Sequence, residues 1–99
     1  IIKFINNNLE KKFSLDMLAE EFYLDKYYLS HLFKENTGFS LMQYINYKKI
    51  MKARELLSKN YSCGDVSEKL SFGDYSNFYK SFKKEIGVSP SKYQQKNKI

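Results

Sequence analysis

The segment Leu18-Ala19-Glu20-Glu21-Phe22-Tyr23-Leu24 has a counterpart 48 residues later, Val66-Ser67-Glu68-Lys69-Leu70-Ser71-Phe72. After the turn that follows each segment, the offset becomes 49 and six further pairs align. The pairs are Leu29 and Phe78, Phe33 and Phe82, Lys34 and Lys83, Gly38 and Gly87, Ser40 and Ser89, and Tyr44 and Tyr93. An internal repeat of this length indicates two copies of one supersecondary unit. We therefore predict two helix–turn–helix units in one chain.

The whole chain predicts an all-α fold of about seven helices. Evidence for strands is scarce, because the chain has two Val, one Thr and no Asn-Gly or Asp-Gly turn. Helix caps are frequent by contrast, with Ser14, Ser40, Ser62 and Ser89 as candidates. The predicted helices cover about residues 1–10, a second helix that starts after Ser14, then 26–36, 40–58, 62–70, 73–86 and 89–95.

The long helix between the two units is predicted to serve two hydrophobic cores in succession. Its apolar residues form two stripes that are rotated by more than a quarter turn, whereas a helix on a single core keeps one stripe. The first stripe is Leu41, Tyr44 and Ile45, and the second is Ile50, Ala53, Leu56 and Leu57. We therefore divide residues 1–99 into a first unit (1–38), a joining helix (40–58) and a second unit (62–95).

Composition excludes several classes of protein. With 99 residues, 42% hydrophobic and 28% charged, the chain suits one compact folded unit or two very small ones, and disorder is not expected from its composition. Its apolar runs are far shorter than the roughly 20 residues that span a bilayer. The single cysteine, Cys63, excludes an internal disulfide and fits a reducing compartment, so we expect a cytoplasmic protein. Because the chain starts on helix-like sequence rather than on Met, we expect a fragment of a longer polypeptide.

Charge gives the first indication of function. Seventeen basic residues against eleven acidic ones leave a net charge of +6. The excess is concentrated from Ser71 onward, where six lysines stand against Asp74 and Glu85. A basic domain can bind nucleic acid, an anionic membrane surface or an acidic protein, and charge alone does not distinguish these partners.

Catalytic and metal-binding patterns find little support in this sequence. The only His and the only Cys are far apart, and no His–carboxylate spacing would hold zinc on one helix face. The four glycines stand singly and form no phosphate-binding loop. We therefore expect no enzyme activity, no cofactor and no metal.

The predicted third and sixth helices repeat one polar surface. Apolar residues of the third helix, Leu29, Leu32 and Phe33, are predicted to form a buried stripe, as are Phe78 and Phe82 of the sixth. The opposite faces present Tyr27, Ser30, His31 and Lys34, and at the repeated positions Ser76, Tyr79, Lys80 and Lys83. Both faces offer hydrogen-bonding groups and cations without a carboxylate, which suits a helix in the major groove of DNA. An ordinary solvated helix face is the alternative for either helix alone.

Two segments carry a family resemblance. Leu29–Gly38 resembles the first recognition helix of the AraC/XylS-type bacterial transcription regulators. The run Ser71–Lys84, followed by Gly87-Val88-Ser89-Pro90 and Tyr93, is similar to that family's signature segment. The sequence departs from the family at Ser71, where Gly is usual, and at Gln94, where a basic residue often follows the tyrosine.

The resemblance implies a seven-helix DNA-binding domain with two recognition helices in successive major grooves, which regulates transcription. It also implies an N-terminal sensor domain, missing from this fragment, and contact with RNA polymerase. By resemblance, the residues that contact bases are Tyr27, Ser30, His31, Ser76, Asn77 and Lys80. Asn77 lies off the centre of the polar face, so the resemblance alone supports it. We assign phosphate contacts to Lys34, Tyr79, Lys83 and Lys84.

The target predicted from these residues is an asymmetric, A·T-rich site bound by a monomer. Arg commonly reads guanine, but the only arginine, Arg54, lies in the joining helix rather than on a polar face. A joining helix of about 27 Å could hold the two units about one turn of DNA apart. The alternative function is a helical protein–protein interaction module that docks on an acidic partner.

Overall fold

The computed structural model describes residues 1–97, and this part of the chain forms seven helices and no strand. Lys98, counted above in the basic C-terminal stretch, lies outside the described residues. The helices are α1 (Ile2–Asn6), α2 (Leu15–Glu21), α3 (Lys26–Thr37), α4 (Leu41–Ser58), α5 (Cys63–Lys69), α6 (Tyr75–Ile86) and α7 (Pro90–Lys96). The predicted all-α fold, with two helix–turn–helix units joined by a long helix, is confirmed.

Side-chain caps fix where α2 to α7 begin. Ser40 and Gln43 form a capping box, in which Gln43 N donates to Ser40 Oγ (3.1 Å) and Ser40 N donates to Gln43 Oε1 (3.0 Å). At the other end, α3 and α6 stop at glycines in equivalent positions of the repeat. Gly38 (φ 82°) and Gly87 (φ 96°) adopt the left-handed conformation that ends a helix.

The predicted extent of α1 is wrong, because this helix ends at Asn6 rather than near residue 10. Asn8 Nδ2 donates to Phe4 O (2.8 Å), and Lys11 N donates to Asn8 O (2.9 Å), which turns the chain away from the helix axis. Asparagine side chains compete with the backbone for hydrogen bonds in this way, and residues 6–8 are three consecutive asparagines.

Two hydrophobic cores lie along α4. The first comprises Ile5, Phe13, Leu18, Ala19, Leu29, Phe33, Leu41 and Ile45. The second comprises Ile50, Ala53, Leu56, Leu57, Val66, Leu70, Phe78 and Phe82. Because the first part of α4 enters one core and the second part enters the other, the two predicted stripes are confirmed. The resulting molecule is elongated, with extents of 43 × 22 × 22 Å.

Leu32 was predicted to be buried with Leu29 and Phe33, but it is exposed. It lies at a shallow cleft beside Ile1 and Ile2. Residues 1–3 line this cleft, and they leave the Leu32 side of α3 partly uncovered.

Candidate nucleic-acid interface

The first candidate reading helix, α3, is fixed by its cap and by two buried side chains. Asp25 Oδ2 accepts hydrogen bonds from Tyr27 N (3.0 Å) and Tyr28 N (3.1 Å) at the helix start. Leu29 and Phe33 are buried in the first core. The opposite face is therefore left to solvent, and it carries Tyr27, His31 and Lys34 as exposed residues and Ser30 as a half-buried one.

The second candidate reading helix, α6, has the same construction. Asp74 Oδ1 accepts from Asn77 N (2.8 Å), and Phe78 and Phe82 are completely buried. All six predicted contact residues of this helix are exposed: Ser76, Asn77, Tyr79, Lys80, Lys83 and Lys84. The two reading helices thus present their predicted residues at repeated positions.

Aromatic rings hold some of the cations at these surfaces. Lys83 Nζ lies 5.9 Å from the centre of the Tyr79 ring, and Lys26 Nζ lies 5.5 Å from the Tyr27 ring. A lysine over a tyrosine face keeps its charge while its range of positions narrows. Among described residues, Lys34, Lys80, Lys83 and Lys84 form no ion pair, so their charges remain available to an anionic partner.

The prediction of two carboxylate-free faces is wrong for α3. Glu35 lies one helical turn after His31, and its Oε2 is 3.4 Å from His31 Nε2. Residues four apart on a helix are neighbours, which explains the contact. A carboxylate therefore borders the first reading face.

A cleft of about 780 Å³ opens between α4 and α6. Lys80, Lys84 and the carboxylate residue Glu85 of α6 lie on one side, and Tyr47 and Lys48 of α4 lie on the other. Sequence reasoning missed Lys48, although a signal was present: this lysine continues the first apolar stripe of α4, one turn after Tyr44. Lys48 Nζ lies 5.8 Å from the Tyr44 ring.

Among residues 1–97, no three His, Cys, Asp or Glu side chains come together as metal ligands. No helix of this part of the chain is both long and apolar enough to cross a membrane.

The repeated geometry agrees with comparisons to known proteins. A family model described as a helix-turn-helix domain matches residues 18–96. The chain belongs to the AraC-type helix-turn-helix family. This family consists of DNA-binding transcription-regulator domains. An AraC-type relative, the HTH-type transcriptional activator AarP of Providencia stuartii, is 34% identical over 95% of this chain and 70% of AarP.

Solved structures share the AraC-type fold. The C-terminal domain of AraT, a response regulator from Geobacillus stearothermophilus, is 26% identical with a TM-score of 0.92, covering 98% of this chain and 82% of that one. The DNA-binding domain of AdpA, solved with a target DNA, has a TM-score of 0.91 at 22% identity, covering 96% and 86%. Other matched relatives are much longer, and this chain spans 13% and 39% of two of them.

The two departures from the AraC-type pattern have structural explanations. Ser71 adopts the left-handed backbone (φ 55°) that glycine adopts without strain, so the turn before α6 is kept. Tyr23, its counterpart in the first unit, has the same φ of 55°. Gln94 Nε2 donates to Leu57 O (3.2 Å) and to Tyr61 O, so this amide braces α7 against the end of α4.

Proposed function

We propose that this domain binds double-stranded DNA in a sequence-specific way, with α3 and α6 in successive major grooves, and so regulates transcription from bacterial promoters. The observation that carries the proposal is the repeat: two helices expose the same polar positions while burying equivalent apolar ones. The AdpA domain, which shares the fold, was solved with its target DNA, and this supports the proposal.

The length of α4 suits two adjacent major grooves. Its 18 residues span about 27 Å at 1.5 Å per residue. Side chains that extend beyond each end of the helix bring the reading faces toward the repeat of B-form DNA, about 34 Å. One chain would then read an asymmetric site as a monomer.

Each face has two kinds of contact in this proposal. Base edges are read by Tyr27, Ser30, His31, Ser76, Asn77 and Lys80, and phosphates are bound by Lys34, Tyr79, Lys83 and Lys84. Base contacts give sequence preference, whereas phosphate contacts fix the position on the duplex. The cleft between α4 and α6 would lie over the intervening DNA, where Lys48 adds a cation.

An A·T-rich site follows from the side chains available. The guanidinium of Arg54 lies 6.0 Å from the centre of the Tyr93 ring on α7. We therefore do not assign Arg54 to a guanine contact. Asn suits adenine and the tyrosine rings suit thymine methyl groups. We also propose that the domain works in the bacterial cytoplasm, contacts RNA polymerase as part of a longer regulator with a sensor domain, and catalyses no reaction.

A selection from randomised duplexes with this domain tests the proposal. We expect an A·T-rich consensus in two parts, about one turn of DNA apart. If about six phosphates are neutralised, log affinity should fall with log salt with a slope near −5. Equal affinity for selected and random duplexes, with no consensus, would instead favour a module that docks on an acidic protein. A G·C-rich consensus would contradict the A·T assignment alone.

A further inference from the structure

Lys49 is the one charged side chain that is buried among residues 1–97, with 5% of its surface exposed. It lies on α4, four residues after Ile45 of the first core and four before Ala53 of the second. A buried ammonium group requires partners, because its removal from water is costly.

Both units supply those partners. Lys49 Nζ donates to Lys11 O (2.7 Å), in the loop before α2, and to Leu70 O, at the end of α5. Its cation also lies 5.8 Å from the Phe13 ring and 5.9 Å from the Phe72 ring. Each unit thus contributes one carbonyl and one aromatic ring to the same ammonium group.

Further contacts join the same two loops. Ser71 Oγ donates to Glu10 O (2.6 Å), and Lys69 Nζ lies 3.3 Å from Glu10 Oε1. Leu9 packs against both hydrophobic cores. Residues 9–11 of the first unit therefore lie directly against residues 69–71 of the second, with Lys49 buried behind them.

A buried lysine is a poor choice for stability alone. Burial lowers the pKa of Lys49 to about 8, which records the cost of keeping the charge there. An apolar side chain of similar size often matches or exceeds the stability that a buried charge gives. Charge-assisted hydrogen bonds to two separate loops are directional, however, and fix geometry as apolar contacts do not.

We propose that Lys49 sets the distance and angle between α3 and α6, and thereby the separation of the two DNA half-sites that the domain accepts. Lys49 is thus a positioning residue, which contacts no DNA itself. The part of this inference that concerns half-sites rests on the proposed function. The part that concerns the two helices does not.

A distance measurement without DNA tests whether Lys49 sets the arrangement of α3 and α6. Spin labels are placed at Lys34→Cys and Lys83→Cys, equivalent exposed positions, in a Cys63→Ser background. We expect one narrow distance distribution for the parent and a broader or shifted one for Lys49→Met. Lys52→Met is the matched control, since Lys52 lies on the same helix but forms an exposed ion pair with Glu55 (3.2 Å). Lys49→Arg, which keeps the charge and the donors, should restore the narrow distribution.

Binding to selected duplexes tests whether Lys49 sets the separation of half-sites that the domain accepts. Lengthening or shortening the segment between half-sites by one base pair should weaken parent binding about ten-fold, because a rigid link tolerates little change in span. In Lys49→Met, the same one-base-pair change should weaken binding about three-fold or less. The affinity of this variant for an isolated half-site should be unchanged. Ser71→Ala removes only the hydrogen bond to Glu10 O, so its loss of binding should lie between those of the parent and Lys49→Met. This variant replaces Lys49→Met in the test if Lys49→Met does not fold.

Two results would overturn the inference: a parent-like distance distribution in Lys49→Met, or a parent-like spacing penalty in that variant or, should it not fold, in Ser71→Ala. If the parent shows no preference for two half-sites, the proposed function fails, and the spin-label distances still decide the role of Lys49.

Discussion

Residues 1–38 carry five lysines and six carboxylates, whereas residues 59–98 carry eight lysines and four carboxylates. The reading helices follow the same trend. Beside α3, His31 meets Glu35 and Lys26 meets Asp16 (3.3 Å), while the lysines of α6 have no ion-pair partner among described residues. Two units with one backbone design therefore differ in electrostatics. In the proposed function, this difference would make the second unit the stronger source of attraction to DNA phosphates.

Support for the two reading helices differs as well. α3 packs against α2 and α4 and leaves Leu32 exposed, whereas α6 packs against α4, α5 and α7. Few buried contacts lower local stability, so we expect the first unit to open more readily than the second.

The largest effect should come from equivalent core residues. Phe33→Ala and Phe82→Ala each remove a buried ring, which costs about 3–5 kcal/mol. Phe82 is fully buried and Phe33 is slightly exposed beside the cleft at Leu32, so Phe82→Ala should cost more. Urea unfolding of both variants measures the difference. A greater loss for Phe33→Ala would show that the first unit is the better packed one.

Base contacts should give the next largest effect. Lys80→Ala should cost about 1–3 kcal/mol of binding free energy and relax preference at one base pair. His31→Ala, its counterpart in the first unit, should cost less because His31 faces Glu35. Titrations with the selected duplex and its single-base variants measure both. The control is Lys83→Ala, which should weaken binding to all sequences alike; equal losses on specific and random DNA for Lys80→Ala would remove its assignment to a base.

The junction between the unequal units should respond to alkaline pH. Lys49 loses its proton near pH 8 in the folded protein and near 10.5 when unfolded. Between these values the unfolded state binds more protons, so the free energy of unfolding should rise with pH, by on the order of 1–2 kcal/mol from this residue. Chemical unfolding at pH 7.5 and 9.5 measures the rise. The same measurement on Lys49→Met gives the contribution of the other titrating groups. An identical pH dependence in that variant would contradict the assignment of the rise to Lys49.

The smallest effect should come from the carboxylate beside the first reading face. Glu35→Gln removes one negative charge next to His31 and makes α3 more like α6. We expect DNA binding to tighten about two- to five-fold at low salt, since exposed charges contribute little and are screened. The gain should vanish at high salt. Glu20→Gln, which changes an exposed carboxylate of α2, is the matched control.

Local signals made most of the fold predictable. The serine caps and the glycines after α3 and α6 act within one helical turn, so the sequence near each end determines it. The prediction for α1 was wrong because the apolar spacing ignores the side-chain hydrogen bond of Asn8. The prediction for Leu32 was wrong because its burial depends on a distant segment, and periodicity on one helix does not show which of its sides that segment covers.

Lys49 shows the limit of reasoning from apolar patterns. It lies between Ile45 and Ala53 in one row of α4. An apolar pattern does not include lysine, so Lys49 is interpreted as a break between two stripes. Its partners, Lys11 O and Leu70 O, are backbone atoms of distant loops, which no side-chain pattern reveals. The contact between His31 and Glu35 could have been predicted from the sequence, because the two residues are four apart on one helix. The assigned base and phosphate contacts stay predictions until DNA is bound.

The left-handed turn at Ser71 has an evolutionary consequence. Mutation to glycine would relax the backbone there but would delete the hydroxyl that holds Glu10 O. Mutation of this codon to glycine therefore gives up a contact between the two units and gains an unstrained turn. Lineages that carry glycine should tolerate more varied operator architectures, unless compensating mutations arise in the loop that contains Glu10.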